Sequence, residues 1–200
     1  NGVKHIIFPE IFEENILGFQ NIFEKNQIDY GIFYSLKANK SKELAYSAFN
    51  KGIGIEVSSY YELCFAKKIG FRGNRIICSG TLKSKKYINL AVKMNTIISI
   101  DNKYELQQII GKGKKSNIIL RINTLNYTSK FGIRTSDCSW FYKKISENLD
   151  IINFKGFSFH LSGYSLIERI KSVEILLHEC NIANQYNLTA QIIDIGGGIP

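Results

Sequence analysis

The stretch Gly31-Ile32-Phe33-Tyr34-Ser35-Leu36-Lys37-Ala38-Asn39 decides how the rest of the chain is read. Its apolar part is aromatic and β-branched, follows Asp29-Tyr30 and gives way to the polar Asn39-Lys40-Ser41, which predicts a buried strand. Lys37 then stands at the C-terminal mouth of that strand. Ser41 before Lys42-Glu43-Leu44-Ala45 has the pattern of an N-cap and a first helical turn, so the local unit is strand, short loop, helix. In α/β folds this is the edge where chemistry is found. Taken alone, the stretch fits equally a lysine that carries the strand end into solvent.

Outward from it, the same unit recurs. Before it, Glu10 to Gln27 has apolar residues at helical spacing. After it, helices are expected over Lys42 to Lys51, Tyr60 to Ile69, Lys85 to Met94, Lys103 to Ile110, Trp140 to Leu149 and Ile167 to Tyr186. Strands are expected over Ile53 to Val57, Arg75 to Ser79, Thr96 to Ile100, Asn117 to Ile122, Gly156 to His160 and Gln191 to Ile195. Ser58-Ser59 and Gly70 punctuate one helix, and a long polar loop runs through Ser129-Lys130-Phe131-Gly132. Strands alternating with helices demand parallel pairing and right-handed crossovers, hence a doubly wound sheet or a (β/α) barrel. No GxGxxG follows the first strand, so the dinucleotide-binding sheet loses ground. The expected fold is α/β, a parallel (β/α)8 TIM-type barrel with seven of its eight strands present, occupying residues 1–200 as one domain incomplete at its C-terminal end.

Composition limits the partners. The chain has 200 residues, 44% of them hydrophobic, enough for a sizeable core. The balance of 26 Lys and Arg against 17 Asp and Glu gives a net charge of +9, but the cations are scattered. The short groups Lys83-Ser84-Lys85-Lys86 and Lys112-Gly113-Lys114-Lys115 read as solvated helix ends, so no nucleic-acid partner is expected. Cys64, Cys78, Cys138 and Cys180 have neither CxxC spacing nor a preceding signal peptide, which points to a reducing cytoplasm and no metal site. No stretch approaches the roughly 18 uninterrupted apolar residues of a membrane span.

Three polar features fall at C-terminal strand ends: Lys37, His160 and Gly196-Gly197-Gly198. In a barrel those ends converge on one pocket. Consecutive glycines let backbone N–H groups point together at a phosphate, though a tight turn explains them equally. A lysine amine and an imidazole beside a phosphate site suit an aldehyde cofactor, while His160 by itself also fits a satisfied core histidine. His5 and His178 have no such placement.

From about Phe8 to Pro200 the chain resembles the barrel-type (fold type III) pyridoxal-phosphate-dependent amino-acid decarboxylases, which include ornithine, lysine, arginine and diaminopimelate decarboxylases. The resemblance rests on the order and spacing of Tyr34-Ser-Leu-Lys-Ala-Asn39, Glu56-Val-Ser-Ser59 with Glu62-Leu63, Ser79-Gly80 with Lys83-Ser84, Leu120-Arg-Ile-Asn123, Ser129-Lys-Phe-Gly132, Phe159-His160 and Asp194-Ile-Gly-Gly-Gly-Ile-Pro200. It implies pyridoxal 5'-phosphate as cofactor, Lys37 as the Schiff-base lysine, His160 stacked on the cofactor ring, and Gly196, Gly197 and Gly198 as the phosphate-binding turn. Two positions depart from the family. The usual His-x-Gly-Ser is here His160-Leu161-Ser162-Gly163, so Ser162 would touch the phosphate from a shifted position. Glu56 stands where the family usually has Asp.

The resemblance also implies an eighth strand bearing Glu-Pro-Gly-Arg and a β-domain, neither within these residues, so the chain is expected to be the barrel part of a longer, homodimeric protein. The expected activity is decarboxylation of a small-molecule amino acid, either a diamino acid or a conjugated one. Alternatives are a racemase of the same fold, whose usual Tyr-Gly-His continuation is replaced here by Lys40-Ser41-Lys42-Glu43, and a non-catalytic regulatory homologue that binds partner proteins.

Overall fold

The computed structural model describes residues 6–125 and 131–198, so His5, Ser129-Lys130 of the polar loop and the terminal Ile199-Pro200 lie outside the described residues. Seven strands run in the order β1 (Phe33–Ser35), β2 (Gly54–Val57), β3 (Ile76–Cys78), β4 (Ile97–Ile100), β5 (Ser116–Asn123), β7 (Ile152–Phe159) and β8 (Ile192–Asp194), every neighbouring pair parallel. Helices α1 (Pro9–Lys25), α2 (Lys42–Asn50), α3 (Tyr60–Ile69), α4 (Lys85–Lys93), α5 (Lys103–Ile110), α6 (Cys138–Ser146) and α7 (Leu166–Asn184) alternate with them.

Six strand spacings of about 4.8 Å would put β1 and β8 roughly 29 Å apart in a flat sheet. Side chains from the ends of both line one cleft of about 320 Å3, so the sheet is curled. This is the seven-stranded part of a TIM-type barrel. Among the described residues, β1 and β8 have no further strand on their outer sides.

Period-two alternation sorts the two faces. One face turns Ile55, Val57, Ile98, Ile100, Ile118 and Leu120 onto the helices, where they form the main core with Leu63, Ile88, Leu106 and Leu176. Burying each such side chain contributes roughly 1.5–3 kcal/mol. The concave face is layered: Asn117, bonded to the amides of Asn95 and Asn153, plugs its N-terminal end. Above it Ile77, Ile97 and Ile119 pack with Phe33 and Ile192. Two residues further along the strands come Ser35, Ser79, Ser99, Arg121, Ser158 and Asp194, all lining the cleft. Five of the seven strands, β1, β3, β4, β5 and β8, therefore turn from apolar to polar on their inner face as they near their C-terminal ends.

Some local expectations are met for local reasons, as with Ser59, which accepts from the amide of Glu62 to cap α3. Asn102 does the same for α5 through the amide of Glu105, and Pro9 occupies the first turn of α1, where its missing N–H costs nothing. Gly70 ends α3 at φ +126°. Others need correction. Ser41 stands at the N-cap of α2, but its hydroxyl bonds to Glu43 at 2.6 Å and makes no cap bond. β1 is shorter than its apolar run because only β2 flanks it, and pairing covers Phe33 to Ser35. The polar loop contains a two-residue parallel strand, β6 (Ile133–Arg134), beside β5, and a 3-10 turn at Thr135–Asp137.

β7 begins four residues earlier than the apolar run suggests. Lys155 interrupts the pattern, and the register shifts there so that Phe154 opposes Ile118 while Gly156 opposes Ile119. Gly156 sits at φ +140°, and a Cβ on it would lie 2.0 Å from the Ile192 carbonyl oxygen. No side chain fits between β7 and β8 at this point. Gly156→Ala should cost about 1–3 kcal/mol in a urea titration through the disfavoured backbone alone, and an unchanged midpoint would refute the contact.

Candidate active site

Lys37 lies in a turn fixed on three sides. The Leu36 amide donates to the Glu56 carbonyl at 3.1 Å, the Ala38 amide to the Ser35 carbonyl at 3.1 Å, and the buried Tyr34 hydroxyl to the Asn39 carbonyl. The amine is thereby held over the cleft, where Nζ sits 3.3 Å from Glu56 Oε1. Ser35 donates to the other carboxylate oxygen at 2.5 Å. Burial by itself would raise the Glu56 pKa, but the charge of Lys37 and the hydroxyls of Ser35 and Ser79 together outweigh it and hold the carboxyl below its ordinary value. The Lys37 side chain is 49% exposed, because among the described residues only β2 flanks β1 and the cleft is open beside it. At that exposure the ion pair contributes at most about 1 kcal/mol.

His160 follows β7 directly and stands edge-on to Phe131, with ring centroids 5.3 Å apart. Burial, then the nearby charges of Lys37 and Arg121, push its pKa below the ordinary value, so the imidazole is neutral at pH 7. Arg121, from β5, is paired with Asp101 after β4. Arg121 Nε and Asp101 Oδ1 are buried with no hydrogen-bond partner.

Gly196, Gly197 and Gly198 form an exposed turn after β8, with φ of +69° at Gly196 and +71° at Gly198, values that side-chain-bearing residues rarely adopt. Asp194 Oδ1 accepts from the Gly196 amide at 2.9 Å, and desolvation raises the Asp194 pKa despite that bond. Arg169 of α7 bonds to the carbonyls of Ile195, Gly197 and Gly198. Ser162 also lines the cleft, exposed, in the loop between β7 and α7.

The structure therefore brings Lys37, His160, Ser162, Gly196, Gly197 and Gly198 together on one cleft. His178 lies elsewhere, on α7 beside a cavity with Thr124 and Lys171. Among the described residues no group of three His, Cys, Asp or Glu could hold a metal. Ser35, Asp101 and Arg169 were not singled out by the sequence. The inward alternation of the strands would have found the first two, whereas nothing local marks Arg169.

Residues 13–199 match the family described as "Pyridoxal-dependent decarboxylase, pyridoxal binding domain". The chain belongs to this family. The cofactor of this pyridoxal-binding domain is pyridoxal phosphate. Relatives include an uncharacterized protein, y4yA, of Sinorhizobium fredii, 28% identical over 98% of this chain and 44% of that protein. Another is the diaminopimelate decarboxylase of Aquifex aeolicus, 30% identical over 84% of this chain and 44% of that enzyme. In fold, the domain is similar to the arginine decarboxylase of Paramecium bursaria Chlorella virus, with a TM-score of 0.84 and 24% identity over 96% of this chain and 52% of that one. The chain thus spans less than half the length of these two curated relatives.

The cleft of the pyridoxal-binding domain suits its cofactor. Its volume is adequate for one small aromatic phosphate. It presents an amine, a neutral imidazole, two guanidinium groups with unpartnered buried nitrogens and a turn without side chains.

Proposed function

We propose that the protein decarboxylates an amino acid, a diamino acid or a conjugated one, with pyridoxal phosphate held on Lys37. The observation that carries this reading is the convergence of Lys37, His160 and the glycine turn on one cleft from three strands far apart in sequence. Bound there, the cofactor supplies an aldehyde carbon and a ring able to accept an electron pair. Lys37 Nζ would be the amine that holds it covalently. Glu56, kept ionised, accepts a hydrogen bond from Nζ and so orients it. His160, being neutral and at a strand end, covers one ring face without adding charge. Gly196 to Gly198, together with Ser162, receive the phosphate.

The same reading makes the protein a cytoplasmic homodimer acting on a small-molecule substrate. All four cysteines are free thiols, in keeping with a reducing compartment. Among the described residues no helix is long and apolar enough to cross a membrane.

The test is release of carbon dioxide from a panel of free and conjugated amino acids in the presence of pyridoxal phosphate. Loss of chirality with the carboxylate retained would instead identify a racemase, and cofactor attachment without turnover of any substrate would favour a binding role. For His160→Phe, which keeps a flat ring, cofactor affinity is expected to stay within about tenfold of the parent. Loss as complete as that of a variant lacking Lys37 would show that stacking is an insufficient account.

A further inference from the structure

Arg169 lies in the first turn of α7, where a cation is opposed by the helix dipole, and yet it is only 6% exposed. An arginine in that position needs a compensating partner. Its guanidinium leaves the helix and spans the glycine turn: Nη1 donates to the Ile195 carbonyl, and Nη2 to those of Gly197 at 2.8 Å and Gly198 at 3.2 Å. Three carbonyls are more than a hydroxyl can reach, and they match the planar fork of a guanidinium.

The consequence follows from the planarity of the peptide unit. In a trans peptide the carbonyl and the N–H point in opposite directions, so drawing the Gly197 carbonyl to Arg169 turns the Gly198 N–H away from it. The carbonyls, which would repel an anion, are masked together. Arg169 also faces the cleft itself, and its Nε is buried without a hydrogen-bond partner. Meanwhile Ser162, displaced in the sequence from the serine position of similar decarboxylases, is left exposed in the loop.

We propose that Arg169 is a positioning residue for the cofactor phosphate, holding Gly196 to Gly198 in their anion-receiving shape and placing a positive charge behind it. This rests on the cofactor reading above and goes beyond it in naming a residue of α7 for the phosphate half of the site.

The experiment compares equilibrium binding of pyridoxal phosphate and of pyridoxal, which lacks the phosphate, by absorbance titration of the parent, Arg169→Met and Arg169→Lys. Circular dichroism verifies that each is folded. Arg169→Met is expected to weaken pyridoxal phosphate binding about tenfold or more while leaving pyridoxal within twofold. Arg169→Lys should be weakened nearly as much, because one ammonium cannot bridge three carbonyls. If Arg169→Met fails to fold, the lysine variant carries the comparison.

Equal losses for both ligands would reduce Arg169 to a structural residue. Unchanged phosphate discrimination in either folded variant, or rescue by lysine, would overturn the clamp while leaving the cofactor assignment intact. A parent protein that binds pyridoxal phosphate no better than pyridoxal overturns the phosphate turn and the proposal together. Binding of neither overturns the cofactor reading.

Discussion

Replacing Lys37 with alanine is expected to abolish covalent attachment of pyridoxal phosphate altogether. Among the described residues, Lys37 is the only lysine that lines the cleft. Its turn is fixed by the Leu36, Ala38 and Tyr34 bonds, so truncating the side chain removes the amine without moving the backbone. Borohydride reduction of the parent followed by peptide mapping should place the label on Lys37, and Lys37→Ala should carry none. Lys40 makes the control. It is three residues away and pairs with Glu62 at 3.2 Å, but its side chain is 72% exposed, so Lys40→Ala should keep the label almost in full. Label on any other lysine, or a labelled Lys37→Ala, refutes the assignment.

The second large effect concerns the scaffold under the cleft. Lys83 and Glu105 form an ion pair at 3.0 Å with side chains 1% and 0% exposed. Lys83 Nζ also donates to the Gly80 carbonyl at 2.7 Å, while Glu105 accepts from the amides of Lys83 and Asp101. The pair ties the loops after β3 and β4 to α5, and Asp101 in turn meets Arg121 in the cleft. Lys83→Met leaves a buried carboxylate without its cation and should cost about 3–5 kcal/mol of stability in a denaturant titration. Lys83→Met with Glu105→Leu should recover a substantial part of that loss, since both desolvation penalties are removed.

The pH dependence has a defined sign. Burial raises the Glu105 pKa even against the attraction of Lys83, and removing Lys83 raises it further. A group whose folded pKa exceeds its unfolded one contributes stability that is present at low pH and lost as pH rises through the folded value. The deficit of Lys83→Met relative to the parent should therefore shrink on acidification from neutrality towards the ordinary carboxylate range. A constant deficit over that interval would mean that Glu105 is not the group left uncompensated.

Much of the architecture is legible in the sequence because its causes are local. Apolar runs bounded by Gly52, Gly70 and the caps Ser59 and Asn102 mark where strands and helices begin and end, and their alternation leaves only parallel pairing. The placement of Lys37, His160 and the glycines at strand ends is local too, and a parallel fold gathers such ends on one side.

Tertiary structure decided the rest. The start of β7 depends on a register shift against β5 and on the close approach of Ile192 to Gly156, neither visible within the strand's own residues. The exposure of Lys37 depends on which strands flank β1. Lys83 with Glu105 and Arg169 with the glycine turn are partners more than twenty residues apart, and the sequence shows each only as a charged residue of a helix or loop. Periodicity and capping report what a residue does to its own backbone. A buried ion pair or a guanidinium over three carbonyls is set by which side chains the curled sheet and its helices bring within hydrogen-bond distance, and only the folded chain specifies that.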